Sequence, residues 1–158
     1  MDILRRTLLK GAGATGALAA AIAAGVLKPT QVLAAEEWNR SAFDAKDLSA
    51  ALKGLGASTT SDSKDIAIKA PDIAENGAVV PVEVVSNIPN TISIAVLAVK
   101  NPLPLTAAFD FANGALPELQ VRVRLAETTD VRAIVKTADG KYFAAQKQVK
   151  VTVGGCGG

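Results

Sequence analysis

The 158-residue sequence has no histidine, one cysteine, one tryptophan, one tyrosine and one methionine, and aromatics make up only 4% of it. Each shortage removes a class of chemistry. Without histidine, neither a Ser-His-Asp nor a Cys-His site can be assembled within the chain. A zinc site would have one thiolate and otherwise carboxylates, a poor donor set. A single cysteine cannot close an internal disulfide. With so few aromatics the core must be built from Val, Ile, Leu and Ala. A hydrophobic content of 49% against 20% charged residues is globular, and the length predicts one domain. No phosphate-cradling loop is in place either: G-A-G-A-T-G at 11–16 has the glycines of a dinucleotide fingerprint but no strand before it.

The charge is unevenly spread. Of 17 basic and 15 acidic residues, 1–34 hold Arg5, Arg6, Lys10 and Lys28 against Asp2 alone, which leaves 13 basic and 14 acidic residues beyond. The basic balance thus comes from the first segment, and no later Lys/Arg run suggests nucleic-acid binding. That segment reads L-R-R-T-L-L-K, then a Gly/Ala-rich apolar stretch from Gly11 to Leu27, then Lys28-Pro29 and a small-residue end at V-L-A-A. A basic start, a short apolar middle and small residues at the break predict a signal peptide over 1–34. The Arg5-Arg6 pair points to twin-arginine export, although Leu4 and Leu8 depart from the usual pattern. The expected destination is the periplasm, with folded cargo exported and no membrane association once the signal is cleaved.

Beyond a polar start, S-A-F-D-A-K-D-L-S-A-A-L-K-G predicts one short helix, with Ser41 as N-cap and Gly54 and Gly56 ending it. A Ser/Thr-rich linker follows. From Asp65 the hydrophobic period changes from helical to two. D-I-A-I-K-A, A-V-V-P-V-E-V-V-S-N, T-I-S-I-A-V-L-A-V-K, T-A-A-F-D-F-A, E-L-Q-V-R-V-R-L-A, T-D-V-R-A-I-V-K-T and a final run from Lys141 toward Val153 make seven strands. Pro81 places its strand at an edge or bulge, and Asp139-Gly140 is a hairpin turn. The pattern predicts an all-β fold, an immunoglobulin-like antiparallel β-sandwich over 35–153 preceded by a short helix.

Few residues carry chemistry. The pairs Glu36/Glu37 and Asp44/Asp47 read as a solvated chain start and helix face. Arg122 and Arg124, on one face of a strand, suit either an anion or plain solvent exposure. N-P-L-P-L is either a loop between strands or an apolar partner surface. There remains Cys156, set between Gly154-Gly155 and Gly157-Gly158. Four glycines offer nothing to bury a thiol with, so 154–158 is expected to be a thin, flexible arm. Extended, it would carry the thiol roughly 10 Å beyond the last strand. No cation or helix N-terminus stands near it in sequence to activate it, which fits a carrier whose partners supply the activation. An exported structural or adhesion module dimerising through a tail disulfide stays open, as does a ligand-binding sandwich with an incidental thiol.

The terminal K-V-T-V-G-G-C-G-G resembles that of SoxY, the sulfur-carrying subunit family of the periplasmic thiosulfate-oxidising Sox system. F-D-A-K at 43–46, K-A-P-D-I-A-E-N-G-A-V-V-P-V at 69–82, K-N-P-L-P-L at 100–105 and A-E-T-T-D-V at 126–131 are similar as well. The resemblance implies a non-catalytic carrier without cofactor or metal, with Cys156 as the covalent sulfur attachment point. It implies SoxZ as heterodimer partner, exported with it. SoxAX couples thiosulfate to the thiol, SoxB releases sulfate by hydrolysis, and in some organisms a sulfane dehydrogenase oxidises the remaining sulfur.

Overall fold

A computed structural model describes residues 39–154 apart from Asn113. The expected signal peptide, with Arg5 and Arg6, lies outside the described residues. Among the described residues two short helices come first, α1 (Arg40–Phe43) and α2 (Leu48–Gly54). The single helix expected here is thus broken in two, and its N-cap is not Ser41. Asn39 caps α1 by accepting from the Ala42 N–H at 3.1 Å, and its amide donates to the Gly54 carbonyl at 2.6 Å, tying the two helices together. Ser41 instead donates to the Asn39 side chain. Asp47, read as part of a solvated face, caps α2 through the Ala50 N–H at 2.8 Å. Short polar side chains that compete for backbone donors favour a new cap over a continued helix. The end of α2 follows the expected glycines. Gly56 takes φ +74, its N–H reaches the Lys53 carbonyl and that of Ala57 reaches Leu52, the paired bonds of a Schellman motif.

Nine strands follow among the described residues. They are β1 (Ser61–Asp62), β2 (Ile66–Lys69), β3 (Ile73–Asn76), β4 (Val80–Ser86), β5 (Thr91–Ala98), β6 (Leu105–Asp110), β7 (Glu118–Val123), β8 (Thr129–Thr137) and β9 (Tyr142–Val153). Seven are those read from the sequence. The other two, β1 and β3, are short and pair parallel with β9. Neither has a legible period: β1 has two residues, and in β3 only Ala74 is buried.

One sheet has the order β1-β9-β8-β5-β6 with β3 also on β9, and the other the order β2-β4-β7. This is the strand arrangement of an immunoglobulin-like sandwich, antiparallel except at β1 and β3. Pro81 lies on the middle strand of the small sheet, yet beyond the end of β2, whose pairing with β4 runs only from Glu83 to Ser86. It therefore has a strand neighbour on one side only, which a residue without an N–H tolerates. Between the sheets Val80, Val82 and Val84 meet Ile94, Val96, Val131, Val135 and Val149. The alternate residues of the large sheet, Ala95, Leu97, Ile134 and Ala144, face away from that core and pack with Ala42, Ala45, Ala51 and Ala57 of the helical segment. A β5 buried on both faces is what its unbroken apolar run predicts. Alanine keeps the helical layer close. A Cβ at Gly54 would sit 2.7 Å from the Ala42 Cα. Among the described residues no helix is long and apolar enough to cross a membrane.

Candidate functional site

The residue types that carry most enzyme chemistry are scarce, and the one cysteine follows closely in sequence on the last strand. The candidate site is the end of that strand, β9. Up to Val149, fully buried, β9 is held by β8. From Lys150 onward β8 is no longer its partner, and a strand end with one free edge would fray. Three devices prevent this. Parallel pairing with β3 sets Ile73 against Lys150, Ala74 against Val151 and Asn76 against Val153. The Gly77 N–H donates to the Val153 carbonyl at 2.8 Å, and the Thr152 hydroxyl to that of Glu75 at 2.8 Å. On the opposite edge, where β8 has ended, the Thr128 hydroxyl oxygen accepts from the Val151 N–H at 2.9 Å, a side chain replacing a missing strand.

Those loops are in turn tied to one another. The Leu125 N–H donates to the Gly77 carbonyl at 2.7 Å. Asn101, in the β5–β6 connection, clamps the β7–β8 connection with both ends of its amide. Its Nδ2 donates to the Arg124 carbonyl at 2.7 Å and its Oδ1 accepts from the Ala126 N–H at 2.9 Å. The result is a braced socket made from 72–77, 101 and 124–128.

Gly154 is the last described residue, and its surroundings give a second reason for glycine there. A Cβ on it would collide with the Ala126 carbonyl oxygen. Its φ does not lie in the left-handed region, so the requirement is close approach to backbone. Gly155, Cys156, Gly157 and Gly158, the remaining residues assigned to the arm, lie outside the described residues.

The sequence blocks that carry the family resemblance are far apart in the chain, yet three of them, 69–82, 100–105 and 126–131, meet at the socket with the start of the terminal block at 150–154. None of Gly77, Asn101, Ala126 and Thr128 was legible as functional from the sequence. They lay within the resembling blocks, but a residue whose role is to brace a distant strand has no local signature.

Charged groups around the socket include Lys100 and Glu127, 3.6 Å apart and both largely exposed, a pair that contributes little. The groups with displaced pKa values are surface ion pairs elsewhere. Lys69 is raised by its hydrogen bond to Glu83 and that carboxylate's charge. Asp139 is lowered to about 2, first by its hydrogen bond from Lys141 and then by that from Thr137, in the β8–β9 hairpin at the other end of β9. No group of three or more His, Cys, Asp or Glu that could hold a metal occurs among the described residues.

Comparison with known proteins agrees with this architecture. Residues 52–156 match the family described as sulfur oxidation protein SoxY. The solved sulfur carrier protein SoxY from Chlorobium limicola f thiosulfatophilum is 38% identical. It covers 72% of this chain and 99% of its own, with a TM-score of 0.61. A superoxide reductase (neelaredoxin) from Ignicoccus hospitalis is 21% identical, covering 54% of this chain and 78% of its own at a TM-score of 0.49, too distant to bear on function. No match was found among curated proteins. With more than half its length matched, and a sandwich whose last strand leads into G-G-C-G-G, the chain belongs to the SoxY family of sulfur carrier proteins.

Proposed function

We propose that the chain is a periplasmic carrier that holds thiosulfate-derived sulfur covalently on Cys156 and presents it to partner enzymes. The observation that carries this is the braced end of β9. The fold fastens the strand by hydrogen bonds on both edges as far as Val151 and on the β3 edge to Val153. Only glycines surround the thiol that follows two residues after Gly154. A firm base and a featureless tether suit a group that must enter another protein's cleft.

The chemistry divides accordingly. Thiosulfate coupling forms an S–S bond: the Cys156 thiol and thiosulfate give the S-thiosulfonate, one proton and two electrons, the electrons going to a haem partner of the SoxAX kind. Hydrolysis, the SoxB step, then takes one water, breaks the bond to the terminal sulfone and releases sulfate with two protons, leaving a persulfide on Cys156. A chain without histidine lacks the side chain most often used as a general base near neutral pH; on this reading the carrier contributes reach and orientation while proton and electron transfer belong to the partners. SoxZ is the proposed heterodimer partner, and a sulfane dehydrogenase, where present, acts on the persulfide. Residues 1–34 act as the twin-arginine signal, read through Arg5 and Arg6, and 154–158 as the arm, with Gly154 its packed base against Ala126.

The test is intact-mass measurement after incubation with thiosulfate and the oxidising partner. An adduct should form, be released by a thiol reductant, and be absent from Cys156→Ser. An adduct that persists in that variant refutes the carrier reading.

A further inference from the structure

The two sheets leave one side of the sandwich open where β6, an edge strand of the large sheet, faces β7, an edge strand of the small one. A cleft of about 400 Å³ lies in this seam, lined by Asn101, Thr106, Ala107 and Val121 together with Arg122 and Arg124. The two arginines are two residues apart on one face, so their side chains leave the backbone about 7 Å apart. Neither has an ion-pair partner among the described residues, and unlike the scattered lysines that also lack one they stand side by side at a cleft. The acidic side chains nearby are engaged or remote. Glu83, diagonal to Arg122 across the β4–β7 pair, is held by Lys69 and Glu127 by Lys100, while Glu118 begins the far end of β7 and Asp110 ends the far end of β6.

The other polar groups of the cleft are occupied by the fold. The Thr106 hydroxyl donates to the Val96 carbonyl at 2.8 Å. Asn101 spends its carbonyl and one amide hydrogen on the Ala126 and Arg124 backbone. Of side-chain groups, the cleft therefore offers a ligand two guanidinium groups and one amide hydrogen, all donors. Such a site takes a small oxyanion, since planar guanidinium forks match its oxygens two at a time.

Position connects the cleft to the thiol. Asn101 lines it and also holds Ala126, against whose carbonyl Gly154 packs. Cys156 lies two residues past Gly154, about 7 Å of extended chain at most, and Arg124 lies the same number of residues from Ala126.

We propose that Arg122 and Arg124 in the β6/β7 seam form a binding site for the sulfonate end of a sulfur oxyanion. The ligand class rests on the carrier reading. The ligand has two possible sources, free thiosulfate or the S-thiosulfonate tethered to Cys156, which share the same –SO₃⁻ terminus.

Backbone amide NMR of the full chain tests both. In the first arm, Cys156→Ser is titrated with thiosulfate and separately with chloride at matched ionic strength. In the second, the native thiol is loaded with tetrathionate, which transfers an S–SO₃⁻ group to the thiolate and leaves as thiosulfate, so no partner enzyme is needed. A saturable shift of Thr106, Val121, Arg122 and Arg124 in the first arm assigns the site to the free anion. The same shift on loading alone assigns it to the tethered cargo. Either should weaken by about tenfold or more in the Arg122→Gln, Arg124→Gln double variant, because charge-assisted hydrogen bonds are lost, while β8 resonances confirm an intact fold. Shifts matched by chloride, or confined to residues outside the seam in both arms, overturn the proposal. Failure to load Cys156 alongside intact anion binding by Cys156→Ser would refute the carrier reading and leave the anion site standing.

Discussion

Replacing Gly154 by alanine adds one methyl group to a segment that a sequence reading treats as free tether. The structure says otherwise. The added Cβ would overlap the Ala126 carbonyl oxygen, a backbone atom whose residue is held by Asn101. Something must yield. Either the β7–β8 connection moves and strains the Asn101 clamp, or the end of β9 lifts away and loses the Gly77–Val153 and Thr128–Val151 hydrogen bonds. Two such bonds are worth about 1 kcal/mol each, and overpacking at a fixed contact costs about 1–3 kcal/mol. Gly154→Ala should therefore destabilise the domain by about 1–3 kcal/mol, lowering Tm by roughly 4–12 °C for a domain of this size. Circular dichroism melting and urea midpoints measure it. The control is Gly155→Ala or Gly157→Ala, which on the arm proposal should leave stability unchanged. A Gly154→Ala variant within about 0.5 kcal/mol of the parent, the usual range of a neutral surface change, would mean that the contact with Ala126 does not exist. The larger Gly155→Val or Gly157→Val changes should likewise spare stability but slow loading or processing of Cys156, measured as the rate of adduct appearance.

Gly54→Ala reverses a familiar sign. Glycine to alanine near a helix end ordinarily helps by up to about 1 kcal/mol, yet here the new Cβ would stand 2.7 Å from the Ala42 Cα and push α1 off α2, so chemical denaturation should show a loss of about 1–3 kcal/mol. Asn101→Ala removes both bonds to the β7–β8 connection and should cost about 1–3 kcal/mol, with faster hydrogen exchange at the Ala126 amide. Unchanged exchange there would show that the clamp is not needed. Asp139 has a folded pKa of about 2, below its ordinary 3.8, so the stability it contributes is present above about 3.8 and lost as pH falls toward 2. Comparing urea midpoints of the parent and Asp139→Asn across that window, the difference should shrink toward low pH. A constant difference would mean that the Lys141 and Thr137 contacts do not hold the carboxylate in its charged form.

Much of this protein was legible in its sequence because the signals are local. Of the nine strands among the described residues, alternation of apolar and polar residues gave six and the largely apolar run of 91–100 a seventh, β5, which is central because a strand covered on both faces cannot alternate. The hairpin at Asp139-Gly140 and the end of α2 at Gly56 were equally plain, because a positive φ selects for glycine at the residue that adopts it. The lack of histidine and of a second cysteine, the placement of Cys156 and the family resemblance likewise needed no coordinates. What the sequence did not contain were features defined by two distant segments. β1 and β3 exist only because β9 offers them an edge; alone, S-D and I-A-E-N have no period to read. The break between α1 and α2 follows from Asn39 and Asp47 finding backbone donors in place, and the helix reading could not weigh that competition. Gly154 looked like one more flexible glycine until Ala126, 28 positions earlier in the chain, was brought against it. Thr128, Asn101 and Gly77 became the brace of the strand end, and Arg122 and Arg124, exposed as their alternation implies, became the rim of a cleft as well, only when the sheets were stacked. Period and turn chemistry act between neighbours and are written in the sequence. Close approach, substitution of a side chain for a missing strand and the gathering of unpaired charge at a seam are properties of packing, and packing is decided in three dimensions.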